Sequence, residues 1–184
     1  MYLLIILGLI ALSAVMFYNT LISKKNQVEN VFASIDAILK KRYDLIPNLV
    51  ATVQQYMNHE KETLTKITEL RAKAISGKLS TDETIEVDNQ VSKTLGGIMV
   101  AVENYPDLKA NTNFLQLQGS LNEVEEQLSA ARRAYNAVVT SYNNSVEMFP
   151  TNLVARSMNF TRKKVFEIAE GERKNIDVGN LFNK

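Results

Sequence analysis

Chemistry needs side chains that can move a proton, attack a substrate or hold a metal, and this chain offers few. It has no cysteine and one histidine, His59. Thiol catalysis, disulfide frameworks and the usual Cys/His zinc sites are therefore excluded. His59-Glu60 is the one place where a metal or base argument can start. A zinc-protease helix needs a second histidine four residues on, and that position is Thr63. A lone histidine in a polar segment reads as a surface residue, so it is given no role. Carboxylates are frequent, but they fall where helix surfaces need charge. Asp36 and Lys40 stand four apart, a pairing worth only ~0.3–0.5 kcal/mol. Glu123, Glu125 and Glu126 read as a solvated acidic face. A di-metal bundle takes a Glu-x-x-His pair from each of two helices, which one histidine cannot supply. No glycine-rich loop follows a strand pattern, so phosphate cradling has no support. No cofactor, no metal and no small-molecule substrate are expected.

Two short basic clusters remain, Lys40-Lys41-Arg42 and Arg162-Lys163-Lys164. Functionally they could meet anionic lipid headgroups or an acidic partner. The plainer reading is a solvated helix end, its cations complementing the carboxyl-terminal dipole. Overall charge nearly cancels, with 21 Lys and Arg against 20 Asp and Glu. A duplex-binding protein would carry a clear basic excess, so no nucleic-acid partner is expected. The 184 residues suffice for one ordinary domain, and 46% hydrophobic against 22% charged residues marks a folding chain. Seven glycines, three prolines and no tryptophan point to long helices with few breaks.

The elements that would carry these residues begin with a greasy segment. No charged residue occurs between Tyr2 and Ile22. That stretch makes about 31 Å of helix, close to the ~30 Å hydrocarbon thickness of a bilayer. Tyr2 and Tyr18 suit the headgroup belts, and Lys24 and Lys25 can snorkel beyond the end. A cleaved signal peptide would want a positive region before the apolar run, and only the Met1 amine precedes it. Residues 1–23 therefore read as a retained anchor, with the bilayer as partner along residues 2–22. The lysines follow the span, so the positive-inside rule puts the amino terminus outside and the main domain in the cytoplasm.

After the anchor, apolar positions keep helical time almost to Phe149. The clearest run is Phe114, Leu117, Leu121, Val124, Leu128, Ala131, Tyr135, Val138 and Tyr142. Its alternating steps of three and four are the spacing of helices packed side by side. So narrow a seam cannot bury a lone helix, and a partner helix is required. Val28, Phe32, Ile35 and Leu39 form another seam; Ile46, Leu49, Val53, Tyr56, Leu64, Ile67 and Ala74 the next; Val87, Val91, Leu95, Ile98, Val102 and Tyr105 a third. The expected junctions are Asp44 as a cap with Pro47 in the first turn that follows, Ser76-Gly77 with Thr81 or Asp82 starting the next helix, and Tyr105-Pro106-Asp107 before a cap at Asn111 or Thr112. Phe149-Pro150 should end the last long helix. Gly96-Gly97 reads as a close approach, a bend or a plain local weakness. The fold class is therefore all-α: a transmembrane helix followed by an elongated up-and-down antiparallel bundle over 24–150. Residues 151–184 read as a tail, partly docked and partly mobile.

Several blocks have a familiar order. The stretch Ile35-Asp36-Ala37-Ile38-Leu39-Lys40-Lys41-Arg42-Tyr43-Asp44-Leu45-Ile46-Pro47-Asn48-Leu49-Val50 resembles the signature of the bacterial LemA family. So do Glu103 to Asn111, Ala131-Arg132-Arg133-Ala134-Tyr135-Asn136, Tyr142-Asn143 leading to Phe149-Pro150, and the opening Tyr18-Asn19-Thr20-Leu21. The resemblance implies an amino-terminal anchor and an elongated antiparallel helical domain. It carries no catalytic residues with it. This chain departs from the family pattern at Gly97 and at Met158-Asn159-Phe160. The resulting expectation is a membrane-anchored, non-enzymatic scaffold of the cell envelope that associates with itself or with another membrane protein. The alternative is a lipid-sensing or envelope-stress module working through its basic clusters. An enzyme with carboxylates converging between helices is the third and weakest reading.

Overall fold

A computed structural model describes residues 1–57 and 59–166. Its helices are α1 (Tyr2–Val53), α2 (Lys61–Ala74), α3 (Thr81–Val102), α4 (Pro106–Lys109), α5 (Thr112–Glu147) and α6 (Thr151–Ser157). Among the described residues there is no strand. From Leu21 onward α1 lies along α5 and against α2, and α2 pairs with α3, in up-and-down order, α4 being one turn in the α3–α5 connection. The core is one apolar column that includes Ile35, Leu39, Ile46, Leu49, Ile67, Val91, Ile98, Phe114, Leu128 and Tyr135. The heptad seams of α3 and α5 are thus the faces that are buried.

Local chemistry explains several helix ends. Ser80 caps α3 in a reciprocal capping box: its hydroxyl accepts from the Glu83 N–H at 3.3 Å, and its own N–H donates to Glu83 Oε2 at 2.8 Å. That backbone donor, with the Ser80 hydroxyl, holds the Glu83 carboxyl below the usual range. The helix begins at Thr81, one of the two starts expected for it. Asn111 caps α5 by accepting from the Phe114 N–H at 3.1 Å. Gly77 ends the α2 turn at φ +69°, a left-handed conformation that glycine adopts without strain. Gly96 and Gly97 lie exposed with open space where a Cβ would stand, so they permit no close helix approach.

The junction expected at Asp44 does not exist. α1 runs unbroken for 52 residues, with Pro47 inside it, and the first turn among the described residues is at Gln54–Tyr56. Proline has no N–H, so Pro47 leaves the carbonyl four residues back, that of Tyr43, without its helical donor. Arg71 on α2 supplies one: its Nε donates to the Tyr43 carbonyl at 2.9 Å. A donor brought from another helix lets the proline sit mid-helix. His59, assigned no role above, is exposed in the turn.

Beyond Leu21 toward the amino terminus α1 emerges from the bundle. Leu21 is fully buried, whereas Leu3, Leu4, Ile5, Ile6, Leu7, Leu9, Ile10, Leu12, Val15 and Met16 are all more than half exposed. Among the described residues α1 is the one helix long and apolar enough to cross a membrane. At 1.5 Å per residue its 52 residues make a rod of about 78 Å, of which roughly 31 Å is the apolar segment.

If Arg71 serves the carbonyl that Pro47 frees, the two residues must be energetically coupled. Arg71→Met should cost about 1 kcal/mol of stability in the natural chain. In a Pro47→Ala background an alanine N–H restores the helical bond, and the cost should fall toward zero. Urea unfolding of the four variants measures the difference; equal costs in both backgrounds would refute the coupling.

Candidate functional site

Three helices converge on a group of charges in the middle of the bundle. Arg42 on α1 is 4% exposed and Asp88 on α3 is fully buried. Arg42 Nη1 meets Asp88 Oδ1 at 2.8 Å, and Arg42 Nη2 meets Glu125 Oε2 on α5 at 2.8 Å. Arg132, two turns further along α5, pairs through Nη2 with Asp88 Oδ2 and through Nη1 with Glu125 Oε1 at 3.1 Å. Ser92 Oγ accepts from Arg42 Nη1 at 2.9 Å and from Arg132 Nη2 at 3.4 Å. Two guanidiniums and two carboxylates form a closed ring with no net charge, each carboxylate bridging both arginines.

Local geometry places each member. Arg42 stands in step with the apolar stride Ile35, Leu39, Ile46, Leu49 of α1, so its side chain has to enter the bundle. Asp88 lies three residues before Val91 on the buried face of α3, and Glu125 and Arg132 lie three before and four after Leu128 on α5. Arg42 is therefore not part of an exposed basic cluster: Lys40 and Lys41 are exposed, while Arg42 turns inward. Glu125 likewise leaves the acidic face expected for it, and Arg133, exposed, bonds Ser129 Oγ at 2.9 Å.

A second feature closes the ring from the side. The chain past α6 runs extended along α5, held by two asparagines one heptad apart. Asn143 donates Nδ2 to the Lys163 carbonyl and accepts from the Lys163 N–H, both at 2.9 Å. Asn136 does the same for Phe166 at 2.8 Å each. Tyr142 Oη donates to the Thr161 carbonyl at 3.0 Å. Seven helical residues rise about 10.5 Å and three extended ones about 10 Å, so the two ladders stay in register. The segment ends at Phe166, 3% exposed, whose ring lies edge-on to Tyr135 at 5.3 Å and 5.7 Å from the Arg132 guanidinium. The packed body thus runs past Pro150 to Phe166. The tail's Ile168, Leu181 and Phe182 lie outside the described residues.

The other residues singled out from sequence are scattered. Tyr2 is exposed, whereas Tyr18 meets the edge of Phe160 with ring centroids 6.3 Å apart. Lys24 donates to Ser141 Oγ at 2.6 Å, and Lys25 lies 3.8 Å from Glu29. In the second basic cluster Arg162 pairs with Glu147 at 2.7 Å, Lys163 is half-buried, and Lys164 stands 3.9 Å from Asp82. The two clusters do not meet. Among the described residues no group of three His, Asp or Glu side chains is placed to hold a metal. Asp88 has both oxygens engaged by arginines and no exposed surface, so its carboxylate is tied up within the ring.

The chain's relatives can be set against this geometry. The LemA family model matches residues 31–179. Protein LemA of Metamycoplasma hominis is 31% identical over 165 residues, covering 90% of this chain and 75% of that protein. The chain belongs to the LemA family. It is also similar to Magnetosome protein MamQ 2 of Paramagnetospirillum magneticum, at 22% identity, and to Magnetosome protein MamQ of Magnetospirillum gryphiswaldense, at 21%. Those matches take in 83% and 88% of this chain and 65% and 71% of the relatives' lengths. The family match covers all four charges of the ring, Ser92, both asparagines and the docked segment.

Removing one member of the ring should be far worse than removing a neighbour. Asp88→Leu leaves two guanidiniums to one carboxylate in the interior and should cost about 3–5 kcal/mol, while the Arg42→Met/Asp88→Leu pair should recover part of that loss. Lys40→Ala should stay within about 0.5 kcal/mol. Denaturant unfolding checks all three, and a neutral Asp88→Leu would contradict the pairing.

Three buried tyrosines give the bundle an alkaline limit. Burial raises the phenols of Tyr43, Tyr135 and Tyr142, that of Tyr135 to about 12. An unfolded tyrosine ionises near pH ~10, so between about pH 10 and 12 the unfolded chain loses its proton first and stability falls as pH rises. The Tyr135 hydroxyl is buried without a hydrogen-bond partner. Tyr135→Phe should therefore be neutral or stabilising at pH 7 and should lessen the alkaline loss, as followed by circular dichroism across pH 8–12.

Proposed function

We propose that this LemA-family protein is a membrane-anchored, non-enzymatic helical scaffold of the bacterial cell envelope. The observation that carries the reading is α1 itself: one uninterrupted helix is both the exposed apolar segment and the central core helix of the bundle. Whatever binds the bundle is thereby rigidly tied to the anchor. The interior supports the same reading, because among the described residues the buried charges, Arg42 and Asp88, pair with each other and with Glu125 and Arg132. Lys24 and Lys25 lie at the bundle end of the apolar segment, which favours a cytoplasmic bundle with the amino terminus outside. Partners meet the outer helical faces, and copies of the chain associate through them. The lipid-sensing alternative is weakened by the burial of Arg42 and by the pairing of Arg162 with Glu147.

The test uses the full chain in native membranes. The protein should stay in the membrane after carbonate extraction, a carboxyl-terminal tag should be digested only when the cytoplasmic side is opened, and mild detergent should release a species larger than the monomer. Extraction by carbonate would remove the anchor, and a monodisperse monomer that captures no partner would remove the scaffold.

A further inference from the structure

Residues 148–160 form the end of the bundle nearest the apolar segment, and they are unlike the rest of its surface. Between Met148 and Thr161 there is one charged side chain, Arg156. Met148, Phe149, Leu153 and Met158 are respectively 62%, 78%, 61% and 57% exposed. Large apolar side chains so exposed and so close together mark a surface that something apolar covers. α6 does not project into open space. It lies against α1, and the two helices enclose a groove of about 470 Å³ lined by Ile6, Leu9, Ile10 and Phe17 on one side and Leu153 and Val154 on the other.

The position of the groove identifies what fills it. Ile6 to Phe17 cover about 17 Å of helix in the middle of a segment of about 31 Å. If that segment spans the bilayer, a helix packed beside Ile6–Phe17 is at hydrocarbon depth as well. The hydroxyls present are consistent with such a place, whereas Asn152 Oδ1 is buried without a hydrogen-bond partner. The Ser13, Thr20, Thr151 and Ser157 hydroxyls each donate to a carbonyl of their own helical turn, at 2.7–2.9 Å, so none of them needs water. Arg156 sits in the last turn of α6, exposed, on a stem long enough to snorkel.

We propose that the Met148–Met158 turn and α6 enter the bilayer beside the anchor as a second, non-spanning wedge, with lipid acyl chains filling the groove between α6 and α1. The inference rests on the anchored reading above and adds to it: two points of immersion fix how the bundle is rotated about its anchor, which a single helix leaves free. The chain has no native cysteine, so single nitroxide labels report without background. Labels are placed at Phe149→Cys and Leu153→Cys, at Leu9→Cys within the apolar segment, and at Leu115→Cys on the bundle, all exposed positions. The full-length protein is reconstituted into phosphatidylcholine/phosphatidylglycerol vesicles, and collision with oxygen is compared with collision with a water-soluble nickel chelate.

The expected result is a several-fold preference for oxygen at 149, 153 and 9, and for the chelate at 115. A label at 153 as open to the chelate as the one at 115, with 9 still in lipid, overturns the wedge and leaves the anchor standing. Chelate access at both 9 and 153 overturns both. Spin–spin broadening at 153 that vanishes when unlabelled chain is mixed in means that a second copy covers the patch, and this too overturns the lipid assignment.

Discussion

Two arginines and two carboxylates, of which Arg42 and Asp88 are buried and Glu125 and Arg132 half-buried, meet between α1, α3 and α5 and set the terms for the rest of this molecule. Moving a charge from water into a protein interior costs several kcal/mol, and only close pairing with satisfied hydrogen bonds offsets it. Here the offset requires three helices to be present at once and in one register, because Arg42 comes from α1, Asp88 from α3, and Glu125 and Arg132 from α5. A slip of one turn on any of them, about 5.4 Å, would leave a charge alone in the core. An all-apolar seam tolerates such slips at small cost, since leucine meets leucine in either register. The ring gives the bundle its specificity of register more than its net stability.

Register in turn fixes the rest. With α5 set against α1, Ser141 faces Lys24 and the Tyr-Asn pairs at 135–136 and 142–143 face the returning chain. The lower half of the bundle lies beyond the reach of the short α2, and the docked segment provides part of its third layer: Phe160 and Phe166 pack on the core that α1 and α5 leave open. Phe166 then lies against Arg132, so the docked segment and the charge ring stabilise each other directly.

Much of this was legible in the sequence, and the failures share a cause. Periodicity identified the buried faces of α3 and α5, because a helix buried on one side repeats its pattern locally. Asn111 was readable for the same reason: a cap and the N–H it accepts are three residues apart. The junction placed at Asp44 failed because Asp44 and Pro47 look alike at a helix start and in a helix whose lost donor is replaced from elsewhere, and that replacement, Arg71, is 28 residues away. Arg42 was grouped with Lys40 and Lys41 by adjacency, when its spacing from Leu39 and Ile46 was the informative quantity. The Tyr-Asn dipeptide repeated at seven residues was in view, but an asparagine reveals its backbone partner only once the tail's path is known.

The continuity of α1 has a mechanical consequence. Had the helix broken at Asp44, the bundle would join the apolar segment through a shorter helix with a turn in its middle, and motion at the top would be lost at that joint. Instead the segment from Tyr2 to Val53 is one helix with its only proline braced from α2. A long helix bends over radii of several tens of ångströms unless its hydrogen-bond ladder is interrupted. The residue that would interrupt it, Pro47, is itself exposed but lies between the buried Ile46 and Leu49, and Arg71 replaces the hydrogen bond it removes. Tilt or rotation imposed on the bundle is therefore transmitted along α1 to its apolar end.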